Sequence, residues 1–291
     1  MISKIKTFFE LIKFEHTVFA LPFAYLGMMM AHNTHVVGNG RDRSLQYVFV
    51  WVTLAMVGAR TAAMTLNRII DLKIDRINPR TENRPICTGQ FSVLAAWSAV
   101  AVSLALFFIS AALLNPLCFK LSFAALGLLA GYHYVKRFSF LCHFALGLVL
   151  AAGPMGGWLA VTGRFSWRPV PLALAVLFWV AGFDILYSLQ DMDFDKAHGL
   201  HSIPVRYGQN RALRISEYCH WATAGFLILF GVVNGLGIIY WAGVALCAAV
   251  LKLEHGLISE DDLSRINTAF FTLNGWVGVL LLAFTFLETF R

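Results

Sequence analysis

Two stretches of this 291-residue chain carry carboxylates at a spacing suited to chemistry. In NRIIDLKID, which starts at Asn67, the residues Asn67, Asp71 and Asp75 fall at i, i+4 and i+8. In YSLQDMDFD, Tyr187, Asp191 and Asp195 repeat the interval. Helical periodicity places each triplet on one stripe, where like charges one turn apart repel. At membrane depth each carboxylate would also cost ~2.5–3.5 kcal/mol unless paired or bound to a cation. A single aspartate at a helix end is most simply solvated, but the same repulsion built twice implies that something bound neutralises it. Carboxylates with an asparagine oxygen suit Mg²⁺, a hard cation that keeps several waters and shares its shell with phosphate. The expected metal ligands are Asn67, Asp71, Asp75, Asp191 and Asp195, and the same five carry the catalytic expectation. Lys73, Arg76, Arg80, Arg84, Lys136 and Arg137 surround them and would neutralise a polyanion. Together these groups describe a diphosphate site, and its position at the ends of apolar helices points to a ligand such as a prenyl diphosphate.

The elements that must hold these stripes are membrane helices. The chain is 58% hydrophobic and 13% charged, about half the charged share of soluble domains. Runs of roughly 20 apolar residues bounded by charge, Gly or Pro predict an all-α bundle of nine transmembrane helices. They lie near 15–32, 47–70, 91–114, 116–135, 140–162, 168–190, 211–233, 235–253 and 267–290. Asn115-Pro116 and Asn234-Gly235 are the thinnest boundaries, and eight helices is the fallback count. Apolar blocks recur along the whole length, so one polytopic domain over residues 1–291 is expected.

Lys and Arg favour the cytoplasmic side. With nine helices, Lys4, Lys6 and Lys13, the loops after both stripes, Lys136 and Arg137, and Lys252 and Arg265 share one side. Arg41, Arg43, Lys120, Arg164, Arg168 and Arg291 are left for the other. The expected location is therefore the inner (cytoplasmic) membrane, with the N-terminus and both motif loops cytoplasmic. Basic loops against anionic lipid account for the net charge of +7 without nucleic acid. Residues 1–15 read as a basic amphipathic lead-in without a cleavage signature. The five cysteines show no C-x-x-C spacing and support neither a disulfide nor a metal reading. His198 and His201 read as solvated loop residues, GPMGG at 153–157 as a place of close helix packing or a kink, and no P-loop is present to drive ATP chemistry.

With these motifs the chain resembles the UbiA superfamily of intramembrane prenyltransferases. The family pattern N-D-x-x-D-x-x-x-D on the second helix, with D-x-x-x-D on the sixth, reads here as Asn67, Arg68, Asp71 and Asp75, then Asp191 and Asp195. NRPICTG from Asn83 and YVKRFS from Tyr134 look like family blocks too. One departure stands out: Arg68 replaces the usual second aspartate. Arg cannot ligate Mg²⁺, so the metal shell leans on Asn67, Asp71 and Asp75, or Arg68 meets the diphosphate directly.

The resemblance implies nine helices around a central cavity and transfer of a polyprenyl group from its diphosphate to a ring carbon of an aromatic acid, in quinone biosynthesis. It points to 4-hydroxybenzoate as acceptor, with a dihydroxynaphthoate of the futalosine menaquinone route as the alternative. Haem, chlorophyll and lipid-ether acceptors stay open. The diphosphate falls to Lys73, Arg137, Arg68, Lys136 and Tyr187, with Tyr134 placed at the acceptor or beside the developing cation. Arg60 lies seven residues before Asn67 and Asp184 seven before Asp191, so each shares its motif's face about two turns deeper. Either they bind the acceptor's carboxylate and hydroxyl, or they pair with each other as a buried bridge. A secondary transporter is the rival from another class, but its charges belong nearer the midplane. A phosphatidyltransferase would need D-G-x-x-A-R, which neither stripe supplies.

Overall fold

A computed structural model describes residues 7–8, 11–12, 17–33, 44–259 and 262–290. Most of the expected lead-in, together with Arg41, Arg43 and Arg291, lies outside the described residues. Among those described, nine long helices occur: α1 (Thr17–Asn33), α2 (Leu45–Ile70), α3 (Val93–Leu114), α4 (Pro116–Val135), α5 (Cys142–Thr162), α6 (Val170–Ser188), α7 (Gln209–Asn234), α8 (Ile238–Gly256) and α9 (Asn274–Thr289). Seven described helices are long and apolar enough to cross a membrane. The expected count of nine spans is not reached on that measure. α1 is described over 17 residues, and α7 opens with Arg211, Arg214 and Glu217. The chain is nonetheless a multi-pass membrane protein, and large apolar side chains such as Leu94, Phe123 and Ile238 face outward.

Local chemistry sets the boundaries. Ser44 and Ser92 accept the backbone N–H of Tyr47 and Ala95 at the starts of α2 and α3. Asn115 separates α3 from α4 in an extended conformation. Its Oδ1 accepts from Cys118 N–H while its Nδ2 donates to Leu159 O on α5. Gly235 closes α7 at φ 64°, a left-handed position that suits glycine.

Neighbouring helices pack in the pairs α2 with α3, α1 with α5, α5 with α6, α6 with α7, α8 with α9, and α9 back onto α1. The GPMGG stretch serves close packing, as expected. A Cβ on Gly157 would lie 2.0 Å from Ala24 O, and one on Gly27 would lie 2.0 Å from Pro154 O, so α1 and α5 touch backbone to backbone.

Both stripes depart from a continuous helix at the same place. α2 ends at Ile70, Asp71 takes φ −94° and ψ 5°, and a separate turn, Leu72–Asp75, follows. After α6 a single 3₁₀ turn runs through Asp191 at φ −102° and ψ 1°, before Met192–Ala197. The repeated spacing therefore carries a repeated backbone break. No Gly or Pro marks either break, so periodicity reads straight through it.

Candidate active site

Three segments meet at one end of the bundle: residues 71–92, 136–141 and 189–208. Their backbones are tied together, with His201 N–H donating to Lys136 O at 2.8 Å and Cys142 Sγ donating to His201 O at 3.5 Å. Thr81 Oγ1 donates to Asp75 O at 3.0 Å, and Leu200 N–H donates to Asp195 O at 2.9 Å. Each motif loop is thereby folded back onto the last aspartate of its own stripe.

All four stripe aspartates lie here, and each has a basic partner. Arg137 Nη2 reaches Asp71 Oδ1 at 3.3 Å, Arg84 pairs with Asp75, and Lys136 Nζ lies 2.8 Å from Asp195 Oδ2. Arg80 makes two bonds to Asp191, Nε to Oδ1 at 2.8 Å and Nη2 to Oδ2 at 2.6 Å. The pairs cross between halves: Arg80 follows the first stripe yet holds the second, while the adjacent Lys136 and Arg137 serve opposite stripes. The two sequence motifs thus form a single site.

Asn78 Nδ2 also donates to Asp191 Oδ1 at 3.1 Å, and Arg80 Nη1 donates to Tyr187 Oη at 3.2 Å. The Arg80 and Arg137 guanidinium groups lie over the rings of Tyr187 and Tyr134, 5.3 and 5.0 Å from their centroids. Burial, and after it the neighbouring Asp75, raises the Asp71 carboxyl above its ordinary value against the pull of Arg137 and Lys136. Burial opposes charge on Arg80 and Lys136, but Asp191 and Asp195 outweigh it and hold both cations above their ordinary values.

The remaining candidates separate into three groups. Arg68 is buried and turned inward, with Nε 3.4 Å from Leu11 O and Nη1 donating to Asn67 Oδ1 at 3.1 Å. Asn67 accordingly presents its amide nitrogen to Asp71 Oδ2 at 2.9 Å and to His133 Nδ1 at 3.2 Å. The amide oxygen expected at a metal is engaged by Arg68. Lys73 is exposed and stands outside the four pairs. Asp184 does not form the bridge to Arg60 offered as one alternative; His143 Nδ1 holds its Oδ2 at 2.7 Å.

A cavity of about 580 Å³ opens behind this cluster, bordered by α1 to α6. It follows α2 from Val52 to Met64, one turn short of Asn67, and α4 as far as Tyr132, one turn short of Lys136. Its walls are mainly Ala, Gly, Leu, Val and Met, with Arg60 and Tyr132 as the polar groups near the aspartates. Its volume lies in the range typical of ligand sites.

The donor set fits a hard divalent cation, since every carboxylate in it offers oxygen alone. Among the described residues no three Asp, Glu, His or Cys side chains gather closely enough to hold a metal by themselves. Phosphate oxygens and water would complete the shell, as they commonly do for Mg²⁺. Asn78, Tyr132, His133 and His143 were not anticipated, because none sits at a repeated spacing that would mark it.

The sequence pattern of the UbiA prenyltransferase family matches residues 20–276. The chain belongs to the UbiA prenyltransferase family. It is 32% identical over 234 residues to a 4-hydroxybenzoate octaprenyltransferase of Paraburkholderia phytofirmans, covering 79% of this chain and 80% of that protein. A second 4-hydroxybenzoate octaprenyltransferase, from Burkholderia ambifaria, is 30% identical over 252 residues, 85% of this chain and 84% of that one. The apo structure of a UbiA homolog from Aeropyrum pernix K1 superposes with a TM-score of 0.84 at 38% identity, covering 94% of this chain and 98% of the other. A UbiA homolog from Archaeoglobus fulgidus bound to GPP and Mg²⁺ shares the fold, with a TM-score of 0.71 at 20% identity over 98% of this chain and 100% of the other. This UbiA chain is a prenyltransferase, and its two aspartate stripes and apolar cavity are contiguous parts of one bundle.

Proposed function

We propose that this prenyltransferase moves a polyprenyl group from a polyprenyl diphosphate to a ring carbon of an aromatic acid, with Mg²⁺, and that 4-hydroxybenzoate is the acceptor. The observation that carries the reading is the set of four carboxylate–cation pairs beside a large apolar cavity. A diphosphate with a hydrocarbon tail needs those two environments in contact. The two curated relatives named for 4-hydroxybenzoate favour that acceptor. A dihydroxynaphthoate remains the second reading, since Arg60, the cation in the cavity wall, would meet the carboxylate of either acid.

Asp71, Asp75, Asp191 and Asp195 would hold Mg²⁺, with Asn67 joining if Arg68 releases its oxygen. A divalent cation held there would supply charge neutralisation for the departing diphosphate. Carboxylates engaged in this way give up Arg80, Arg84, Lys136 and Arg137, which then lie within reach of the diphosphate oxygens. Each aspartate therefore stores a cation in place, and the exchange costs little reorganisation when the donor arrives. Lys73 adds a mobile charge from the exposed rim. Tyr134 and Tyr187, already under guanidinium groups, present ring faces to positive charge. The apolar walls exclude water that would otherwise capture an allylic cation. Arg60 pairs with the acceptor's carboxylate and Asp184 with its hydroxyl, setting the ring carbon ortho to that hydroxyl toward the donor.

We place residues 1–291 in one domain in the cytoplasmic membrane, with this end of the bundle facing the cytoplasm. The supporting feature is the concentration of Lys and Arg in the loops around the aspartates. The test is incubation of purified protein in nanodiscs with a polyprenyl diphosphate, with and without Mg²⁺, offering 4-hydroxybenzoate and a dihydroxynaphthoate separately. Mass spectrometry should find a prenylated acid only with Mg²⁺. Donor binding without product from either acid would overturn the acceptor assignment.

A further inference from the structure

His143 lies in the first turn of α5 and is only 2% exposed. Its two ring nitrogens face different parts of the molecule. Nδ1 is 2.7 Å from Asp184 Oδ2, and Nε2 accepts the backbone N–H of Ile203 at 3.3 Å. A backbone N–H can only donate, so Nε2 must be the unprotonated nitrogen and Nδ1–H must donate to the carboxylate. The tautomer is therefore set from the loop side. Asp184 keeps 27% of its side chain exposed between two buried neighbours, Phe183 and Ile185. It lies near Tyr132, a wall residue of the cavity.

Ile203 belongs to the loop that carries the second aspartate cluster. Ser202 caps the short helix Ile203–Tyr207, His201 N–H is held by Lys136 O, and Lys136 pairs with Asp195. The imidazole thus joins the seated loop on one side to Asp184 on the other. We infer that His143 is a positioning residue for the aromatic acceptor: it fixes the Asp184 side chain near Tyr132 of the cavity wall, and does so only while the loop around Ile203 is seated. This rests on the reading of Asp184 as the acceptor's hydroxyl partner. One consequence is that acceptor affinity depends on loop seating at the diphosphate end, while donor affinity does not depend on His143.

Two near-isosteric substitutions separate the bonds. His143→Asn keeps a donor near the Nδ1 position but has nothing to accept from Ile203. His143→Gln places its oxygen near the Nε2 position and leaves Asp184 without its donor. Full-length wild type, both variants, Asp184→Asn and the His143→Gln/Asp184→Asn pair are compared in nanodiscs, with KM measured for each substrate. Amide exchange at Ile203 is followed by mass spectrometry without substrate.

His143→Gln should raise the acceptor KM about tenfold, the loss of a hydrogen bond to a charged group, with donor KM within about twofold. The double variant should add nothing further, because the two residues act as one unit. His143→Asn should keep acceptor KM closer to wild type while speeding amide exchange at Ile203. Equal rises in both KM values, or additive effects of His143→Gln and Asp184→Asn, would overturn the inference and leave His143 a packing residue. Wild type that binds donor but turns over neither acid would bring down the acceptor reading, and this inference with it.

Discussion

The two aspartate stripes share spacing, backbone break and basic surroundings, but they are held to different degrees. Asp191 is locked by both nitrogen arms of Arg80 and by Asn78, with its side chain 8% exposed. Asp71 is 24% exposed, meets one arm of Arg137 at 3.3 Å and accepts from Asn67 Nδ2 at 2.9 Å. At Asp191 the second half of the site is braced, and at Asp71 the first is the more open, although Arg84 holds Asp75 at 8% exposure. A repeat in sequence has become a division of labour: one half fixes the loops, and the other keeps a carboxylate available for an incoming cation. Arg68 reinforces the asymmetry, because it spends its donors inward on Leu11 and Asn67.

The largest effects should come from removing one charge from each half. Asp71→Asn and Asp191→Asn should each lower kcat/KM by about 10²–10³-fold in a magnesium-dependent prenylation assay, the scale on which transition-state charge stabilisation is lost. Their stabilities should diverge. Asp191→Asn leaves Arg80 without its two charged bonds and should cost ~1–3 kcal/mol in denaturation followed by tryptophan fluorescence, whereas Asp71→Asn should cost nothing. Equal destabilisation by the two would break the comparison. Arg80→Lys should follow with a loss of roughly 10–100-fold, since a lysine cannot make the paired contact. Arg137→Lys, replacing a single long contact, should lose less.

Asp71 also predicts a pH dependence with a definite sign. Its carboxyl sits above the ordinary 3.8 because burial and Asp75 disfavour the ionised form. A raised carboxyl contributes stability that is present below the unfolded value and is lost as pH rises through the folded value. Scanning melting temperature upward from pH 4 should show that loss in wild type and not in Asp71→Asn. Magnesium-dependent donor binding should run the other way, weakening as acidification protonates Asp71 before an ordinary carboxylate would protonate. A donor affinity flat down to pH 4 would remove Asp71 from the metal shell.

Much of this site was legible in the chain itself. The stripes, the basic loops and the helix boundaries at Asn115 and Gly235 follow from spacing and turn chemistry, which are local. The pairings were not. Arg80 and Asp191 are 111 positions apart, Asn67 and His133 are 66 apart, and His143 and Asp184 are 41 apart. No periodicity connects such residues, and only packing of the loops decides which cation faces which carboxylate. Arg60 and Asp184 show the same limit, for their matched depth suggested a bridge that His143 takes instead. The inward turn of Arg68 depends on Leu11 O, a backbone acceptor whose position a sequence pattern does not encode.

The smallest effect sharpens the comparison from the outside. Lys73 lies on the open half, between Asp71 and Asp75 in sequence, yet it is exposed and belongs to none of the four pairs. An exposed cation acts through screened attraction worth ~0–1 kcal/mol, so Lys73→Ala should weaken donor binding only about two- to fivefold. That change should vanish near 0.5 M salt, where the Debye length falls well below the roughly 8 Å of physiological ionic strength. Arg80→Ala, removing a cation locked in the braced half, should instead keep its effect at high salt. A salt-resistant loss in Lys73→Ala would mean that this side chain reaches the diphosphate directly, making the open half a binding surface in its own right.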